Sequence, residues 1–213
     1  RYDKWFQTPI GALVRRYESD LLLELLQPRR GEAILDAGCG TGVFTIDILS
    51  LGSRVVGLEI SGPMIKRARQ KAGGYLFEPG AGSMMALPFA DAVFSKTVSM
   101  TALEFVEDAP AAVGELFRVT QKGGTVVATT LNSMSPWAAR RKLKAAQGHR
   151  LFEKIIFRSP DEMRAMAPVE GVVKTAIHFA KEADPERAPD IEKEGQAMNL
   201  ETGAFLAVRW VKP

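Results

Sequence analysis

Short apolar runs typical of buried strands alternate along this chain with apolar residues spaced three or four apart, which is typical of helices. The first helical repeat follows a Thr8-Pro9 start signal, includes Leu25 and ends before Pro28. Strands are predicted at residues 33–37, 55–59, 74–78, 93–100, 125–131, 172–179 and 204–211. Further helices are predicted at residues 43–51, at 110–119 and after Ser61. This alternation predicts an α/β fold built from βαβ units around a mostly parallel sheet.

The same pattern predicts one domain over residues 1–213 with two helical additions. Residues 1–27 form an N-terminal helical cap, and residues 132–170 form a helical insertion that we interpret as a candidate lid over the site. Within the insertion, Ser159-Pro160-Asp161-Glu162 has the arrangement of a capping box and predicts the start of the last helix. A chain of 213 residues, with 46% hydrophobic and 25% charged residues, has the composition of an ordinary globular domain.

Cysteine and histidine are too few for several kinds of site. The single cysteine, Cys39, excludes an internal disulfide and every zinc site that needs two or more thiolates. The two histidines, His149 and His178, have no carboxylates at ligand spacing, so no metal is expected. No apolar run reaches the roughly 18 residues of a membrane span, and a cytoplasmic location is expected.

A glycine-rich turn is the most informative segment of the chain. A predicted buried strand runs into Gly38, Gly40 and Gly42, and a predicted helix follows. Glycine permits positive φ and close approach of a ligand, and α/β sheets bind ligands at the carboxyl ends of their strands. Glu59 ends the next strand, where a carboxylate can accept hydrogen bonds from both hydroxyls of a ribose. Val43 stands where a dinucleotide fingerprint requires glycine, which favours a nucleoside ligand without a pyrophosphate over NAD.

The segment from Ile34 to Gly42, ILDAGCGTG, resembles motif I of the class I S-adenosylmethionine-dependent methyltransferases. Residues 55–61 resemble the family's second strand, and residues 86–91, ALPFAD, resemble its LPF-x-D segment. The resemblance covers about residues 2–131. It implies a doubly wound, Rossmann-like sheet of seven strands with the last strand antiparallel and helices on both faces. It also implies S-adenosylmethionine as the cofactor and S-adenosylhomocysteine as the product.

The resemblance assigns parts of the cofactor to individual residues. Asp36, Gly38 and Gly40 would line its methionine part, Glu59 would hold the ribose, and Ile60 would lie against the adenine. The complete predicted cofactor-binding set is Tyr2, Trp5, Asp36, Gly38, Cys39, Gly40, Gly42, Glu59, Ile60, Met64, Ser83 and Met84.

Two positions depart from the family pattern, and one residue has a competing role. Ser83 stands where the family commonly has an aspartate that accepts a hydrogen bond from the adenine amino group, which predicts weaker cofactor binding. Ser95 also replaces a common aspartate, and we attach no function to that change. Cys39 is equally interpretable as a small packing residue.

Aromatic residues near the N-terminus have two interpretations. Tyr2, Trp5 and Phe6 are spaced so that they share one helical face. In similar methyltransferases an N-terminal helix closes over the cofactor, and aromatic rings favour a cation such as a sulfonium. The alternative is a helix face packed on the core.

Few residues suggest which groups orient or deprotonate the methyl acceptor. Glu104, just past the fourth predicted strand, is the candidate catalytic residue, because it could accept a proton from an amine or hydroxyl, or orient it. The competing interpretation is a solvated or helix-capping glutamate. Asn132 is similarly placed after the fifth strand, where a turn-forming role competes. His149 and His178 are interpreted as a surface loop residue and a structural residue.

The acceptor class is inferred from absences. The only cysteine lies in the glycine turn, which argues against covalent methylation of cytosine C5. The sequence TALEF at 101–105 replaces the Asp/Asn-Pro-Pro-Tyr of methyltransferases that act on nucleobase amines. We therefore predict an enzyme that transfers a methyl group by in-line displacement to a small-molecule acceptor.

A basic segment keeps alternatives open. Between Arg140 and Arg158 there are seven Lys or Arg residues and one acid, Glu153. An acidic acceptor, RNA or an anionic membrane would suit such a segment, whereas a solvated face is the competing interpretation. The alternatives to a small-molecule enzyme are a tRNA or rRNA methyltransferase and a non-catalytic binding or regulatory protein with the same fold. The sequence predicts no oligomeric state.

Overall fold

The computed structural model describes residues 2–213, without the side chains of Tyr2, Arg150 and Leu151. The strands in this range are β1 (Ala33–Ala37), β2 (Arg54–Glu59), β3 (Phe77–Ala81), β4 (Phe94–Ser99), β5 (Thr120–Leu131), β6 (Val172–Ala176) and β7 (Phe205–Val211). The helices are α1 (Tyr2–Trp5), α2 (Pro9–Leu26), α3 (Thr45–Ser50), α4 (Gly62–Lys71), α5 (Ala109–Val119), α6 (Pro136–Ala146), α7 (Arg150–Glu153), α8 (Pro160–Arg164) and α9 (Ala188–Ala197), with a 3-10 helix at Leu103–Phe105. None of these helices is long and apolar enough to cross a membrane.

The described strands form one seven-stranded sheet in the order β3-β2-β1-β4-β5-β7-β6. Strands β1 to β5 are parallel, whereas β7 runs antiparallel to both β5 and β6. The predicted doubly wound sheet with its antiparallel last strand is therefore confirmed. The chain builds β1, β2 and β3 outward and then returns to place β4 on the other side of β1. Sheets of this kind bind ligands in the crevice where the strand order reverses, beyond the carboxyl ends of β1 and β4.

Helices cover both faces of the sheet, so successive residues of a central strand enter different cores. Ile34 packs in the core beneath α2 and α3, and Leu35 packs in the core beneath α5. Both are fully buried. Burial on both faces explains why β1 is almost continuously apolar, as is typical of parallel sheets.

Three strands differ by more than one residue from their predictions. The observed β6 ends at Ala176, three residues before its predicted end. The observed β3 starts at Phe77 and includes Pro79, which an edge strand tolerates because proline donates no ladder hydrogen bond. The observed β5 starts at Thr120, five residues earlier than predicted. Gly123 N–H donates to Lys212 O and Lys212 N–H donates to Gly124 O, so pairing beside β7 continues through both glycines.

One helix was not predicted, and the caps were predicted with mixed success. In α9 the buried residues are Ala188, Glu192 and Gly195, so its buried face has no large apolar residue to signal a helix. The caps at Thr8 and Ser159 are confirmed, the latter as a complete capping box. Ser61 precedes α4 as predicted, but its side chain makes no capping hydrogen bond.

Gly195→Ala should destabilise the protein, although alanine is the better helix former. A Cβ at Gly195 would lie 2.3 Å from Cγ of His178, so the ring and α9 would have to separate. Gly114→Ala in α5 is the matched control, because its added Cβ would meet open space. The control should gain up to about 1 kcal/mol of unfolding free energy. Urea denaturation of both variants checks this, and equal stabilisation would contradict the described packing of α9.

Candidate active site

Backbone close packing defines the turn after β1. Gly38 and Gly42 have φ of +82° and +75°. A Cβ on Gly38 would lie 2.4 Å from Cβ of Ala102, and one on Gly42 would lie 3.1 Å from Cα of Ala68. Gly40 has φ of +54°, and a Cβ there would meet open space. Two glycines thus let neighbouring elements touch the turn, and the third leaves its backbone open to a ligand.

Glu59 lies beside the turn at the end of β2, as predicted. Its Oε2 accepts a hydrogen bond of 3.0 Å from Gly40 N–H, and its Oε1 accepts one of 2.9 Å from Ser61 N–H. These bonds hold the carboxylate at the rim of the turn, where it has further lone pairs for a ligand. Ile60 and Met64 are exposed nearby, Ile60 to 79%. The ribose and adenine roles of these residues stay predictions.

Asp36 is buried beneath the turn with one oxygen satisfied. Its Oδ2 accepts a 2.7 Å hydrogen bond from Thr45 Oγ1, and Oδ1 has no hydrogen-bond partner among the described residues. Burial raises the pKa of Asp36 to about 6, opposed by the Thr45 bond and assisted by the charge of Glu59. An unsatisfied buried acceptor costs free energy, so a ligand that donates to Oδ1 would be favoured.

Of three other predicted cofactor residues, two have buried side chains and the third makes a hydrogen bond within its own loop. Cys39 is buried, and burial raises the pKa of its thiol above the usual value. Met84 lies in the core beneath α5. Ser83 is exposed, and its Oγ accepts a 3.2 Å hydrogen bond from Met85 N–H. Any cofactor contact from Cys39 or Met84 would therefore come from the backbone, and their assignment stays a prediction.

The N-terminal helix is tied to the glycine turn by a residue that the sequence analysis missed. Asp3 Oδ1 accepts a 3.1 Å hydrogen bond from Thr41 Oγ1, and Asp3 Oδ2 pairs with Lys71 Nζ at 2.7 Å. This pairing lowers the pKa of Asp3 against the opposing effect of burial. This polar contact holds α1 across the turn. The sequence indicated it only by an acidic residue among the N-terminal aromatic residues.

The N-terminal aromatic residues pack on the core. Trp5 meets Trp137 of α6 edge-on, with ring centroids 6.2 Å apart, and Phe6 meets Phe44 in the same way at 6.1 Å. The core-packing interpretation is confirmed for Trp5 and Phe6, and a contact of Trp5 with the cofactor stays a prediction. The side chain of Tyr2 lies outside the described residues.

Glu104 is buried rather than solvated. It lies in the 3-10 helix after β4, is 3% exposed, and its Oε2 has no hydrogen-bond partner within the described part of the chain. The interpretation as a solvated glutamate is therefore wrong. Burial raises the pKa of Glu104 to about 7, although a backbone hydrogen bond and the charges of Arg141 and Arg158 lower it. Its catalytic role stays a prediction.

A second buried glutamate, Glu18, lies on α2 and interacts electrostatically with Glu104. It is 6% exposed, and its Oε2 also lacks a partner in residues 2–213. Burial raises the pKa of Glu18 to about 8, Arg141 opposes the shift, and Glu104 adds to it. The sequence analysis did not single out Glu18. A signal was present, because Glu18 occupies a position on the apolar face between Val14 and Leu21.

Arg158 supports the loop that carries Glu104. Its Nη1 donates to Leu103 O at 2.7 Å and its Nη2 donates to Val106 O at 2.6 Å, while Ile156 N–H donates to Glu104 O. Arg158 is 6% exposed, so it does not belong to a basic surface as the charge count suggested. The insertion instead uses it to fix the acceptor-side loop.

Asn132 and the histidines have structural surroundings. Asn132 is fully buried, donates to Glu201 O and Gly203 O, and accepts from Met134 N–H, which confirms its turn-forming role. His149 is exposed and stacks on Phe152. His178 packs against α9, as a structural residue. Within residues 2–213 no three His, Cys, Asp or Glu residues are grouped to hold a metal.

Positive charge is concentrated where α6 meets the segment after β6. Trp137 Nε1 donates to Phe179 O at 2.7 Å and joins these elements. Arg140 pairs with Glu182 at 2.7 Å. The pKa of Lys181 is lowered by burial and then by the neighbouring charges of Arg140 and Lys144. Arg140, Lys144 and Lys181 therefore lie near one another, with Glu182 as the acid beside them.

Comparisons with known proteins agree with this geometry. Residues 35–128 match a family model described as a methyltransferase domain. A malonyl-[acyl-carrier protein] O-methyltransferase of Serratia marcescens is 30% identical over 196 residues, 81% of this chain and 75% of that protein. A methyltransferase structure from Thermotoga maritima has a TM-score of 0.70 and 22% identity, covering 100% of this chain and 94% of that one. Geranyl diphosphate methyltransferase with bound S-adenosylmethionine has a TM-score of 0.65 and 19% identity, covering 92% and 84%.

The fold and the glycine turn define an α/β enzyme of the nucleoside-binding type. The chain belongs to the class I S-adenosylmethionine-dependent methyltransferases, and S-adenosylmethionine is its cofactor. The site fits this cofactor on three observations: the open backbone at Gly40, the anchored carboxylate of Glu59 and the unsatisfied Oδ1 of Asp36. The alternatives of an NAD oxidoreductase and of a non-catalytic protein are thereby set aside.

Glu59→Gln should weaken cofactor binding, because glutamine keeps the shape but loses the charge and one acceptor. A charged hydrogen bond is worth about 1.5–3 kcal/mol, so the Kd for S-adenosylhomocysteine should rise at least about tenfold. Glu78→Gln, on the exposed side of β3, is the control and should leave the Kd unchanged. Isothermal titration calorimetry measures both values. An unchanged Kd in Glu59→Gln would contradict the ribose assignment.

Ser83→Asp should tighten cofactor binding by about fivefold, the equivalent of about 1 kcal/mol, because a carboxylate accepts a stronger hydrogen bond than a hydroxyl does. Aspartate can also accept the bond that Ser83 now accepts from Met85 N–H. Ser95→Asp is the control, since Ser95 bonds to Ala33 O at the amino end of the sheet, away from the turn. Weaker or unchanged binding in Ser83→Asp would show that position 83 does not face the adenine.

Proposed function

We propose that this enzyme transfers a methyl group to a carboxylate oxygen of a small acyl group that an acidic carrier presents as a thioester. The Serratia marcescens relative is named as an O-methyltransferase of malonyl-[acyl-carrier protein]. The observation that carries the proposal is the positive charge of Lys144 and Lys181, which lie beside the Arg140–Glu182 ion pair where α6 meets the segment after β6. Such a surface attracts an anionic acceptor and accelerates its encounter with the site.

The residues around the turn have separate roles in binding the cofactor and positioning the acceptor. When bound, S-adenosylmethionine supplies an electrophilic methyl group. Asp36 and Glu59 hold its polar ends, and Asp3 ties α1 across the turn. Ala102, against Gly38, begins the loop that carries Glu104 toward the acceptor side. Positioning of this kind provides most of the acceleration in a displacement whose reactivity resides in the cofactor.

RNA is supported less well than an acyl carrier as the methyl acceptor. Arg158 is buried on backbone carbonyls, and Arg140 is paired with Glu182, so fewer basic side chains face a phosphate backbone than the sequence count implied. RNA binding that matters should involve several phosphates and depend steeply on salt. The experiment below includes RNA as a competing acceptor.

The proposal is tested by supplying S-adenosylmethionine with a labelled methyl group and several acceptors. The panel contains a malonyl-loaded acyl carrier protein, malonyl-coenzyme A, an acetyl-loaded carrier and total tRNA. We expect label on the malonyl acceptors alone, released as methanol by mild alkali, because a methyl ester is base-labile. Label on tRNA alone, or label on any acceptor that survives alkali, would contradict the proposal.

Lys144→Glu should raise the KM for the malonyl-loaded carrier about three- to fivefold, because reversing one charge weakens attraction to an acidic partner by about 1 kcal/mol or less. The Kd for S-adenosylhomocysteine should not change. Lys122→Glu is the matched control, since Lys122 is exposed at the start of β5, on the opposite edge of the sheet. Steady-state kinetics at low salt compare the two. Equal effects of both reversals would show that α6 has no special part in attracting the carrier.

A further inference from the structure

Two buried glutamates outside the cofactor-binding set form a pair on the acceptor side. Glu18 comes from α2 and Glu104 from the loop after β4, and both are more than nine-tenths buried. Each has one carboxyl oxygen, Oε2, for which the described residues offer no hydrogen bond. The charge of Glu104 also adds to the raised pKa of Glu18, so the two side chains are near enough to interact electrostatically. Two unsatisfied buried oxygens from separate elements are an unusual cost for a fold to retain.

The elements that carry the pair both touch the glycine turn or the helix that follows it. On α2, Arg15 Nη2 donates to Val43 O and pairs with Asp47, each at 2.7 Å. On the other side, Ala102 packs against Gly38. The segments that carry Glu18 and Glu104 are therefore held against the cofactor turn, or the residues that follow it, by two separate contacts.

Charged groups on α2, on α6 and after α7 act on the two glutamates. Glu18 is influenced by Arg15 on its own helix, by Arg141 of α6 and by Glu104. Glu104 is influenced by Arg141 and by Arg158, which follows α7. Arg15 is itself neutralised by Asp47.

We propose that Glu18 and Glu104 retain a proton between them and donate it in a hydrogen bond to the carboxylate of the acceptor. This inference rests on the proposed function, because it assumes that the acceptor has a carboxylate. It adds the groups that recognise that carboxylate and that select it over a hydroxyl or an amine.

The retained proton follows from burial of both carboxyls and from the charge of Glu104 near Glu18. Two carboxyls in a shared buried site cannot both ionise readily, so the pKa of at least one is raised. Burial raises the pKa of both glutamates here, more strongly for Glu18. A protonated carboxyl carries an O–H donor, which an incoming carboxylate can accept. Two ionised glutamates would instead repel the acceptor.

The chemistry of a carboxylate acceptor agrees with a pair that keeps its proton. The acceptor oxygen uses its own lone pair to form the O–CH₃ bond as the S–CH₃ bond of the sulfonium breaks and its electron pair stays on sulfur. No proton leaves the acceptor, so the pair has the same proton count before and after transfer. A hydroxyl or amine acceptor would have to lose a proton and would need the pair ionised.

The test is the pH dependence of kcat/KM for a malonyl thioester in the wild type, Glu18→Gln and Glu104→Gln. We expect wild-type kcat/KM to fall about tenfold per pH unit once the pair loses its proton. Glutamine has an N–H donor at every pH, so each variant should lose several-fold activity at pH 7 and show a flatter decline. Asp20→Asn, an exposed change on α2, is the control and should keep the wild-type profile.

Three outcomes would overturn the inference. The first is a wild-type rate that rises with pH, which would make the pair a general base. The second is a wild-type profile that is flat from pH 6 to 9. The third is a loss above about 100-fold in both glutamine variants at pH 7 without a change in cofactor Kd, because a hydrogen-bond donor would then not suffice.

A binding measurement separates this inference from the proposed function. Calorimetry of malonyl-coenzyme A with the S-adenosylhomocysteine complex should show tighter binding at pH 6 than at pH 9 in the wild type, and less pH dependence in the glutamine variants. If no methyl ester forms but this pattern holds, the proposed function fails and the carboxylate site stands. If methyl ester forms but binding is independent of pH in the wild type, the carboxyl pair fails and the proposed function stands.

Thermal unfolding verifies that the glutamine variants remain folded and reports on the proton independently. A carboxyl whose pKa is higher in the folded state than in the unfolded state stabilises the fold at low pH, and this contribution is lost as the pH rises through the folded pKa. The loss begins at the unfolded pKa of about 4.3, so the Tm of Glu18→Gln should exceed that of the wild type already at pH 6, by a margin that grows up to about pH 8. A Tm difference that does not change with pH would contradict a retained proton.

Discussion

The site depends on how closely the loops after β1 and β4 approach each other. Parallel pairing of β1 with β4 makes both loops leave the same edge of the sheet. They can touch only because Gly38 has no side chain, since a Cβ there would lie 2.4 Å from Ala102. This contact brings the cofactor turn and the residue Glu104 into one site. A larger side chain at position 38 would push the two loops apart, and with them the cofactor and the acceptor, even if every catalytic group stayed the same.

Around this contact the protein buries three carboxyl groups that it leaves only partly satisfied. Asp36 is on β1 before the turn, Glu18 is on α2, and Glu104 is in the 3-10 helix after β4. Each has a raised pKa, with burial as the main cause. Perturbed groups of this kind concentrate at functional sites, because a fold without a ligand gains nothing from them. The cofactor and the acceptor are the ligands that would complete their hydrogen bonds.

The cofactor half of the site could be predicted from sequence because local rules determine it. The turn follows from glycine spacing after a buried strand, and Glu59 follows from its place at the next strand end. The acceptor half required the folded chain. Glu18 comes near Glu104 only through tertiary packing, as its electrostatic interaction with Glu104 indicates. The burial of Arg158 cannot be read from a basic segment. Helix α9 was missed because its buried face carries alanine, glutamate and glycine.

The account's central claim is that the cofactor turn and the carboxyl pair together bind one acceptor carboxylate. A crystal structure with S-adenosylhomocysteine and malonyl-coenzyme A tests it most directly. We predict the nucleoside beside Glu59 and a malonyl carboxylate oxygen within about 3.2 Å of Oε2 of Glu18 or Glu104. A malonyl carboxylate bound at the glycine turn but facing away from both glutamates would contradict the claim.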